Sequence, residues 1–240
     1  MNVWGEYERW DRALARHIFT EESAGLPVYL EVTPEIFSAV AADLDVPGDP
    51  AEHLAKVVRE TLYLEDRHGF DAHRERFQMW RRQKLAPTGT LAKRSSTELE
   101  APPVVALLAV LVIAAVRMGQ DTNQAANAYY PRLAEVLGLD EPEATRLRQA
   151  FPVTEVFWRG LNEYLAAHEG RLGLPTADAL SFRYVGIPQS QALVRAADRA
   201  RLPAFFTRFG LAPGSPVIPA DLERLMDAWI TASPARSAPI

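Results

Sequence analysis

Apolar residues recur at helical spacing along most of the chain. Trp4, Tyr7, Trp10, Leu14 and Ile18 follow one another at intervals of three or four residues, which places them on one face of an amphipathic helix. Comparable stripes predict further helices at 34–44, 50–63, 70–85, 103–118, 123–137, 141–151, 153–165, 188–199 and 203–209, and a last one from about 219. The pattern therefore predicts a chain built mainly from helices.

Start and stop signals support several of these helices. Thr33-Pro34 and Asp49-Pro50 each combine a capping side chain with a proline suited to the first helical position. Gly138 is suited to end the helix at 123–137, while Pro131 within it predicts a bend or a break.

The segment 103–118 differs from the others because it is apolar on every side, so other helices must surround it. Its longest apolar run, 104–116, has 13 residues, whereas a membrane span needs about 20. We therefore predict a core helix and no membrane partner. The predicted fold is mainly α, a compact multi-helix assembly around this buried central helix, with one or two short β segments at 27–32 and 182–187.

Composition changes suggest how the chain is divided. Residues 86–101 are polar, contain Pro, Gly, Ser and Thr, and show no convincing period, so we predict a loop there. It separates an N-terminal helical subdomain with a short strand, at 1–85, from a C-terminal helical subdomain at 102–230. Residues 231–240, rich in Pro, Ser and Ala, are predicted to be a disordered tail or a linker.

The composition also excludes several kinds of chemistry. The chain has 240 residues, a net charge of −5 and no cysteine, so it can hold no disulfide, thiolate metal site or cysteine nucleophile. This composition fits a reducing compartment. The first residues lack the basic and apolar regions of a secretory signal, and we expect a cytoplasmic protein.

No catalytic motif is recognisable, and we predict no cofactor. The glycine patterns that cradle phosphates are absent, as are G-x-S-x-G and H-E-x-x-H. A possible metal-binding set comprises Glu65, Asp66, His68, Asp71 and His73, since carboxylates and imidazoles bind divalent metals. The two histidines flank Gly69 at a predicted helix break, and a solvated turn explains the same residues.

A basic stretch at 74–94 is the first candidate for nucleic-acid binding. It contains one acidic residue, Glu75, and seven basic ones: Arg74, Arg76, Arg81, Arg82, Lys84, Lys93 and Arg94. Cations of this kind neutralise phosphates, and the interleaved Trp80 could stack on an unpaired base. Two alternatives stay open. The stretch could be a solvated basic face or dock an acidic partner, and Phe77 and Trp80 could be the buried edge of the helix.

A second candidate lies at the predicted helix start that follows residues 182–187. Gln189, Gln191 and Arg195 stand there, where amide side chains could contact base edges in a helix-turn-helix-like unit over about 188–210. Capping of an ordinary surface helix is the alternative explanation.

Three stretches, taken together, resemble bacterial proteins of multi-gene anti-phage defence systems. They read Ala-Gly-Leu-Pro-Val-Tyr-Leu at 24–30, Ala-Tyr-Tyr-Pro-Arg-Leu at 128–133, and a segment at 184–206 that ends in Leu-Pro-Ala-Phe-Phe. None of them is a catalytic signature. The resemblance implies a role within a larger bacterial assembly and identifies no site residues.

The sequence therefore favours a non-enzymatic helical interaction module, a subunit or the N-terminal part of a larger bacterial multi-protein assembly. Its expected partners are other protein subunits. The first alternative is a nucleic-acid-binding protein that uses 74–94 and the 188–199 helix. The second is a metal-dependent hydrolase that uses Glu65, Asp66, His68 and His73.

Overall fold

A computed structural model describes residues 2–64, 69–84, 100–120, 128–175, 187–188, 200–212 and 219–231. In these residues the protein is mainly α, as the sequence predicts. The helices are α1 (Val3–Ile18), α2 (Pro34–Leu44), α3 (Pro50–Leu62), α4 (Asp71–Lys84), α5 (Val105–Gln120), α6 (Tyr129–Leu137), α7 (Glu141–Ala150), α8 (Thr154–Ala167), α9 (Leu202–Arg208) and α10 (Pro219–Thr231). The same described residues include two strands of two residues each, β1 (Pro27–Val28) and β2 (Leu174–Pro175).

The predicted capping residues stand at the observed helix ends. The Thr33 hydroxyl accepts a hydrogen bond from the Ile36 N–H, and the Asp49 carboxylate accepts from Ala51 and Glu52. Gly138 ends α6 in the left-handed conformation with φ of 60°, which glycine adopts without the cost of a β-carbon. Since α6 begins at Tyr129, Pro131 lies in its first turn, where a missing N–H leaves no intrahelical bond unmade.

The predicted central helix is α5, and its residues from Val105 to Ala115 are all buried. Asp11 of α1 and Tyr129 of α6 make hydrogen bonds to its backbone, while α1 packs on α2 and α3, and α4 packs on α3 and α8. Among the described helices, none is both long enough and apolar enough to cross a membrane.

Two side chains of α1 form hydrogen bonds with backbone groups at the beginning of α5. Because α5 begins inside the core, water cannot satisfy its first N–H groups. The Asp11 Oδ1 accepts from the Ala106 N–H at 2.9 Å. The Tyr7 hydroxyl accepts from the Leu107 N–H at 3.4 Å and donates to the Pro103 carbonyl at 3.3 Å. The cap of the central helix therefore comes from the first helix of the chain.

The β structure is smaller than the sequence suggests. Of the predicted strand at 27–32, only Pro27 and Val28 are paired, in parallel with Leu174 and Pro175. The partner strand falls in a turn-rich stretch for which periodicity gives no signal. The second predicted segment, 182–187, lies outside the described residues apart from Ile187, and so does the predicted helix at 188–199 apart from Pro188.

Contacts divide the chain into two units. The first contains α1–α4, α5 up to Gly119, α6–α8 and both strands, and the second contains α9 and α10. Residues 85–99 lie outside the described ranges. Helices from both sides of the 86–101 stretch thus belong to one unit, and the division into subdomains at that stretch stays a prediction. Residues 232–240, most of the predicted tail, are likewise outside the described part.

Candidate functional site

The arginines of the predicted basic surface mostly have carboxylate partners. Arg74 pairs with Asp71 at 2.9 Å on α4 itself. Two others pair with distant helices, Arg76 with Glu8 at 2.6 Å and Arg81 with Glu163 at 2.7 Å. The Arg76 guanidinium also lies 4.0 Å from the centre of the Trp4 ring. These ion pairs offset much of the positive charge that the sequence places on α4.

Trp80 belongs to the core. Only 7% of its surface is exposed, and its ring stacks on Phe77 with 5.6 Å between ring centroids. Its indole N–H donates to the Glu100 carbonyl at 3.0 Å. Since both rings are buried, most of the Trp80 ring contacts the core and only a small part of it is exposed. The alternative that Phe77 and Trp80 form the buried edge of the helix describes what is observed.

The remaining predicted nucleic-acid residues are not brought together in the described part of the chain. Arg82 is exposed on α4. Lys84 is the last residue of α4, and its side chain is not described. The other predicted residues lie outside the described ranges: Lys93, Arg94, Gln189, Gln191 and Arg195. A nucleic-acid interface over 74–94 and 188–199 therefore stays a prediction.

The possible metal set is also only partly described. Glu65, Asp66 and His68 lie outside the described residues, while Asp71 is exposed and pairs with Arg74. His73 is buried. Within the ranges that the structure describes, no group of three His, Asp or Glu side chains could hold a metal ion.

His73 has a structural environment between α3 and α1. The Thr61 hydroxyl donates to the Val58 carbonyl at 2.7 Å, so it can accept from the His73 Nε2–H, 3.2 Å away. This arrangement leaves Nδ1 as the unprotonated nitrogen, and it has no hydrogen-bond partner among the described atoms. Burial, and to a smaller extent the charge of Arg76, lowers the pKa of His73 to about 3, so the ring is neutral at ordinary pH.

A cleft of about 840 Å³ lies beside α1, within the first unit. Its walls come from α1, the end of α2, α4, residues 100–103 and α8. The lining residues are Glu8, Arg9, Asp11, Arg12, Ala15, Arg16, Phe19, Asp43, Leu44, Trp80, Glu100, Ala101, Pro103 and Tyr164. We call this feature the α1 cleft. It combines many charged groups with three aromatic side chains.

Asp11 is the buried carboxyl group of the α1 cleft. Burial raises the pKa of Asp11 to about 8, although hydrogen bonds from the Ala106 and Val105 N–H groups and the charge of Arg12 act in the opposite direction. The group is therefore protonated at neutral pH. In that form it still accepts the Ala106 N–H that it caps.

Asp11 and His73 give opposite pH dependences of stability. Unfolded histidine titrates near pH 6.5 and unfolded aspartate near pH 4. Between pH 3 and 6.5 the unfolded chain binds the extra proton at His73, so acidification destabilises the fold. Between pH 4 and 8 the folded chain retains the proton on Asp11, so raising the pH destabilises it. The two contributions oppose each other from pH 4 to 6.5, and only that of Asp11 acts from pH 6.5 to 8.

We expect the pH dependence of stability that Asp11 causes to disappear in Asp11→Asn. The amide oxygen of the asparagine can still accept the Ala106 N–H. Chemical denaturation of both proteins at pH 6.5 and pH 8 measures this dependence. The unfolding free energy of the wild type should fall by roughly 2 kcal/mol relative to the variant between these two values. A constant difference between the two proteins would show that Asp11 does not titrate in this range.

The second unit presents an apolar helical surface. Leu222, Leu225, Met226 and Trp229 recur on α10 at the spacing of one helix face, and we call them the α10 face. Leu222 is 41% exposed, and the other three are only partly buried. On α9, Phe205 is buried against Trp229, while its neighbour Phe206 is 43% exposed. The described part of this unit thus leaves much of its apolar surface in contact with solvent.

Sequence reasoning identified neither the α1 cleft nor the exposure of the α10 face. The charged residues of α1 are visible in the sequence, but charges opposite an apolar stripe ordinarily indicate a solvated face. That they line a cleft depends on Trp80, Tyr164 and residues 100–103, which are distant in sequence. The apolar stripe of α10 was visible, whereas its exposure depends on what packs against it.

No protein-family model, curated protein or solved structure matches this chain. Proposals about function therefore rest on its own residues and their arrangement.

Proposed function

We propose that the protein is a non-enzymatic interaction module that binds another protein through the α10 face. The observation that carries this proposal is how few side chains are buried in the described part of the second unit. Of the side chains described in α9 and α10, Phe205 alone is buried. Burying the apolar face of an amphipathic helix in a groove of a partner is a recurrent mode of protein recognition, with contacts at i, i+3, i+4 and i+7. The α10 face has this spacing.

The proposed partner is a subunit of a bacterial multi-protein assembly, such as a defence system. The segment at 184–206, one of the three that resemble defence-system proteins, ends at Phe205 and Phe206. The aromatic pair next to the α10 face thus belongs to the stretch that carries this resemblance. A cytoplasmic location is proposed with it, in keeping with the cysteine-free composition.

Co-purification with the products of neighbouring genes tests the proposal. Each candidate partner is co-expressed with the tagged protein, as the wild type or with Leu222→Asp or Phe206→Asp. A charged group on the contact surface should weaken binding at least tenfold, because an unpaired charge in an interface leaves its desolvation uncompensated. Met79→Asp is the matched control, since Met79 is 55% exposed on α4 of the first unit. It should leave the affinity unchanged.

Circular dichroism of each variant establishes that the helices are retained. If a partner binds Leu222→Asp and Phe206→Asp as tightly as the wild type, its contact surface lies elsewhere. If no neighbouring product binds the wild type, the proposal of a subunit in such an assembly fails.

The nucleic-acid alternative is distinguished on the same preparations. Fluorescence anisotropy of labelled single- and double-stranded DNA and RNA, at two salt concentrations, measures binding and its salt dependence. If binding occurs and weakens in Arg81→Glu/Arg82→Glu, with a flatter salt dependence, nucleic-acid binding becomes the favoured function. The absence of binding at low salt would leave the protein partner as the proposal.

A further inference from the structure

Most of the charged residues that line the α1 cleft have partners within the protein. Glu8 is held by Arg76 at 2.6 Å. Asp43 lies 3.1 Å from the His17 Nε2 and 3.5 Å from Arg16. The Asp11 carboxyl group is directed to the N-terminus of α5. The remaining acidic group, Glu100, also has an interaction partner. The carboxyl groups of Glu8, Asp11 and Asp43 are thus engaged within the protein.

The arginines of the α1 cleft differ in their partners. Arg9 donates to the Leu44 carbonyl and pairs with Glu6, in both cases at 3.1 Å. Within the described part of the chain, the ion pair of Arg16 is the long contact to Asp43, and its side chain is 68% exposed. Arg12 lies between them on α1, one turn from Arg16, and none of the described residues forms an ion pair with it. Arg12 is exposed, so its guanidinium is accessible to a ligand in the cleft.

The neighbouring carboxyl group of Asp11 does not pair with Arg12. Burial raises the pKa of Asp11 to about 8, so this group is protonated at neutral pH, and it is directed to the N-terminus of α5. A guanidinium in this position binds phosphate or carboxylate groups with paired N–H donors.

The rest of the α1 cleft suits a small organic molecule. Its volume of about 840 Å³ lies within the usual range for ligand sites. Phe19, Trp80 and Tyr164 are buried aromatic residues that line it, and they offer apolar contacts. An inorganic ion would make no contact with these aromatic side chains. An anion with an apolar body would contact both the aromatic side chains and the Arg12 guanidinium.

We propose that the α1 cleft binds a small organic anion, whose phosphate or carboxylate group is held by Arg12, with Arg16 as a second donor and Phe19, Trp80 and Tyr164 against its body. This binding is separate from the proposed protein contact, since the α1 cleft belongs to the first unit and the α10 face to the second.

Phenyl phosphate and benzoate are the probes, each tested by isothermal titration calorimetry and by thermal unfolding of the whole chain. Sodium chloride at equal ionic strength corrects for general salt effects. We expect one of the probes to bind the wild type at millimolar concentration or below and to raise its Tm by a few degrees. Arg12→Ala should weaken this binding roughly tenfold or more, because a hydrogen bond to a charged group is lost.

Arg132→Ala is the matched control, since Arg132 is an arginine of α6 paired with Glu135 and does not line the cleft. It should bind the probe as the wild type does. Preference for phenyl phosphate identifies the ligand as a phosphate ester, and preference for benzoate identifies it as a carboxylate. The proposal is overturned if neither probe binds at millimolar concentration, or if Arg12→Ala and Arg132→Ala bind equally well.

Discussion

Gly160→Ala should lower the free energy of unfolding by roughly 3 kcal/mol, even though alanine is the better helix former. Gly160 lies within α8 where this helix packs on α4. A β-carbon at position 160 would overlap the Cζ and Cε2 atoms of Phe77. Either the ring or the helix must therefore move.

The Phe77 ring has little freedom to move. It is buried, stacks on Trp80 and meets Phe157 edge to face, with 5.6 Å between centroids in both pairs. A displaced ring would disturb both contacts, so the cost of overpacking should exceed the gain of about 1 kcal/mol from replacing a helical glycine. Denaturant unfolding monitored by circular dichroism measures the difference.

Gly5→Ala is the matched control, since Gly5 also lies within a helix and a β-carbon added there would have the Asn2 Cβ, 3.9 Å away, as its nearest neighbour. It should be neutral or stabilising by up to about 1 kcal/mol. The double variant Gly160→Ala/Phe77→Leu should lose less stability than the sum of the two single changes, because the smaller side chain makes room. If Gly160→Ala is as harmless as Gly5→Ala, the close approach of α4 and α8 is not what the structure indicates.

Gly173→Ala is expected to cost a similar amount, roughly 3 kcal/mol, for two reasons that add. Its φ of +96° is unfavourable for a residue with a side chain, and an added β-carbon would overlap the Val28 Cγ2. The same β-carbon would lie 3.1 Å from the Leu26 carbonyl oxygen. The change therefore affects the pairing of β1 with β2 directly, and thermal unfolding measures its cost.

Gly48→Ala separates the cost of the positive φ from the cost of the steric overlap. Gly48 has a comparable φ of +80°, but nothing lies within 4 Å of an added β-carbon. It should lose about 1 kcal/mol, the conformational cost alone. Equal losses of stability from Gly48→Ala and Gly173→Ala would show that the Val28 side chain can move away from the added β-carbon at no energetic cost.

Local signals predicted the helices in the described residues well, because these signals depend on neighbours in sequence. The caps Thr33 and Asp49 act on N–H groups two or three residues away, and Gly138 ends α6 through its own backbone conformation. The segment within α5 is apolar on every side, so its burial could be predicted without knowing which helices surround it. Mainly helical architecture could therefore be predicted without knowledge of the packing.

Features that depend on distant residues could not be predicted in this way. The charge of α4 is offset by Glu8 and Glu163, which are 68 residues from Arg76 and 82 from Arg81. The spacing of Phe77 and Trp80 suits base stacking and core packing equally, and only the fold decides between them. Similarly, the sequence places Gly160 on an apolar face of α8 but does not reveal the ring that faces it.

The cap of α5 also bears on how the chain matures during synthesis. Asp11 and the Ala106 N–H that it accepts are 95 residues apart. At a translation rate of about 5–20 residues per second, roughly 5–20 s separate the synthesis of α1 from that of its partner on α5. During this interval Tyr7 and Asp11 of α1 lack the backbone N–H groups of α5 that they bind in the folded protein. Nascent chains of this protein therefore pass through a stage in which α1 can already pack on α2 and α3 but has no α5 to cap.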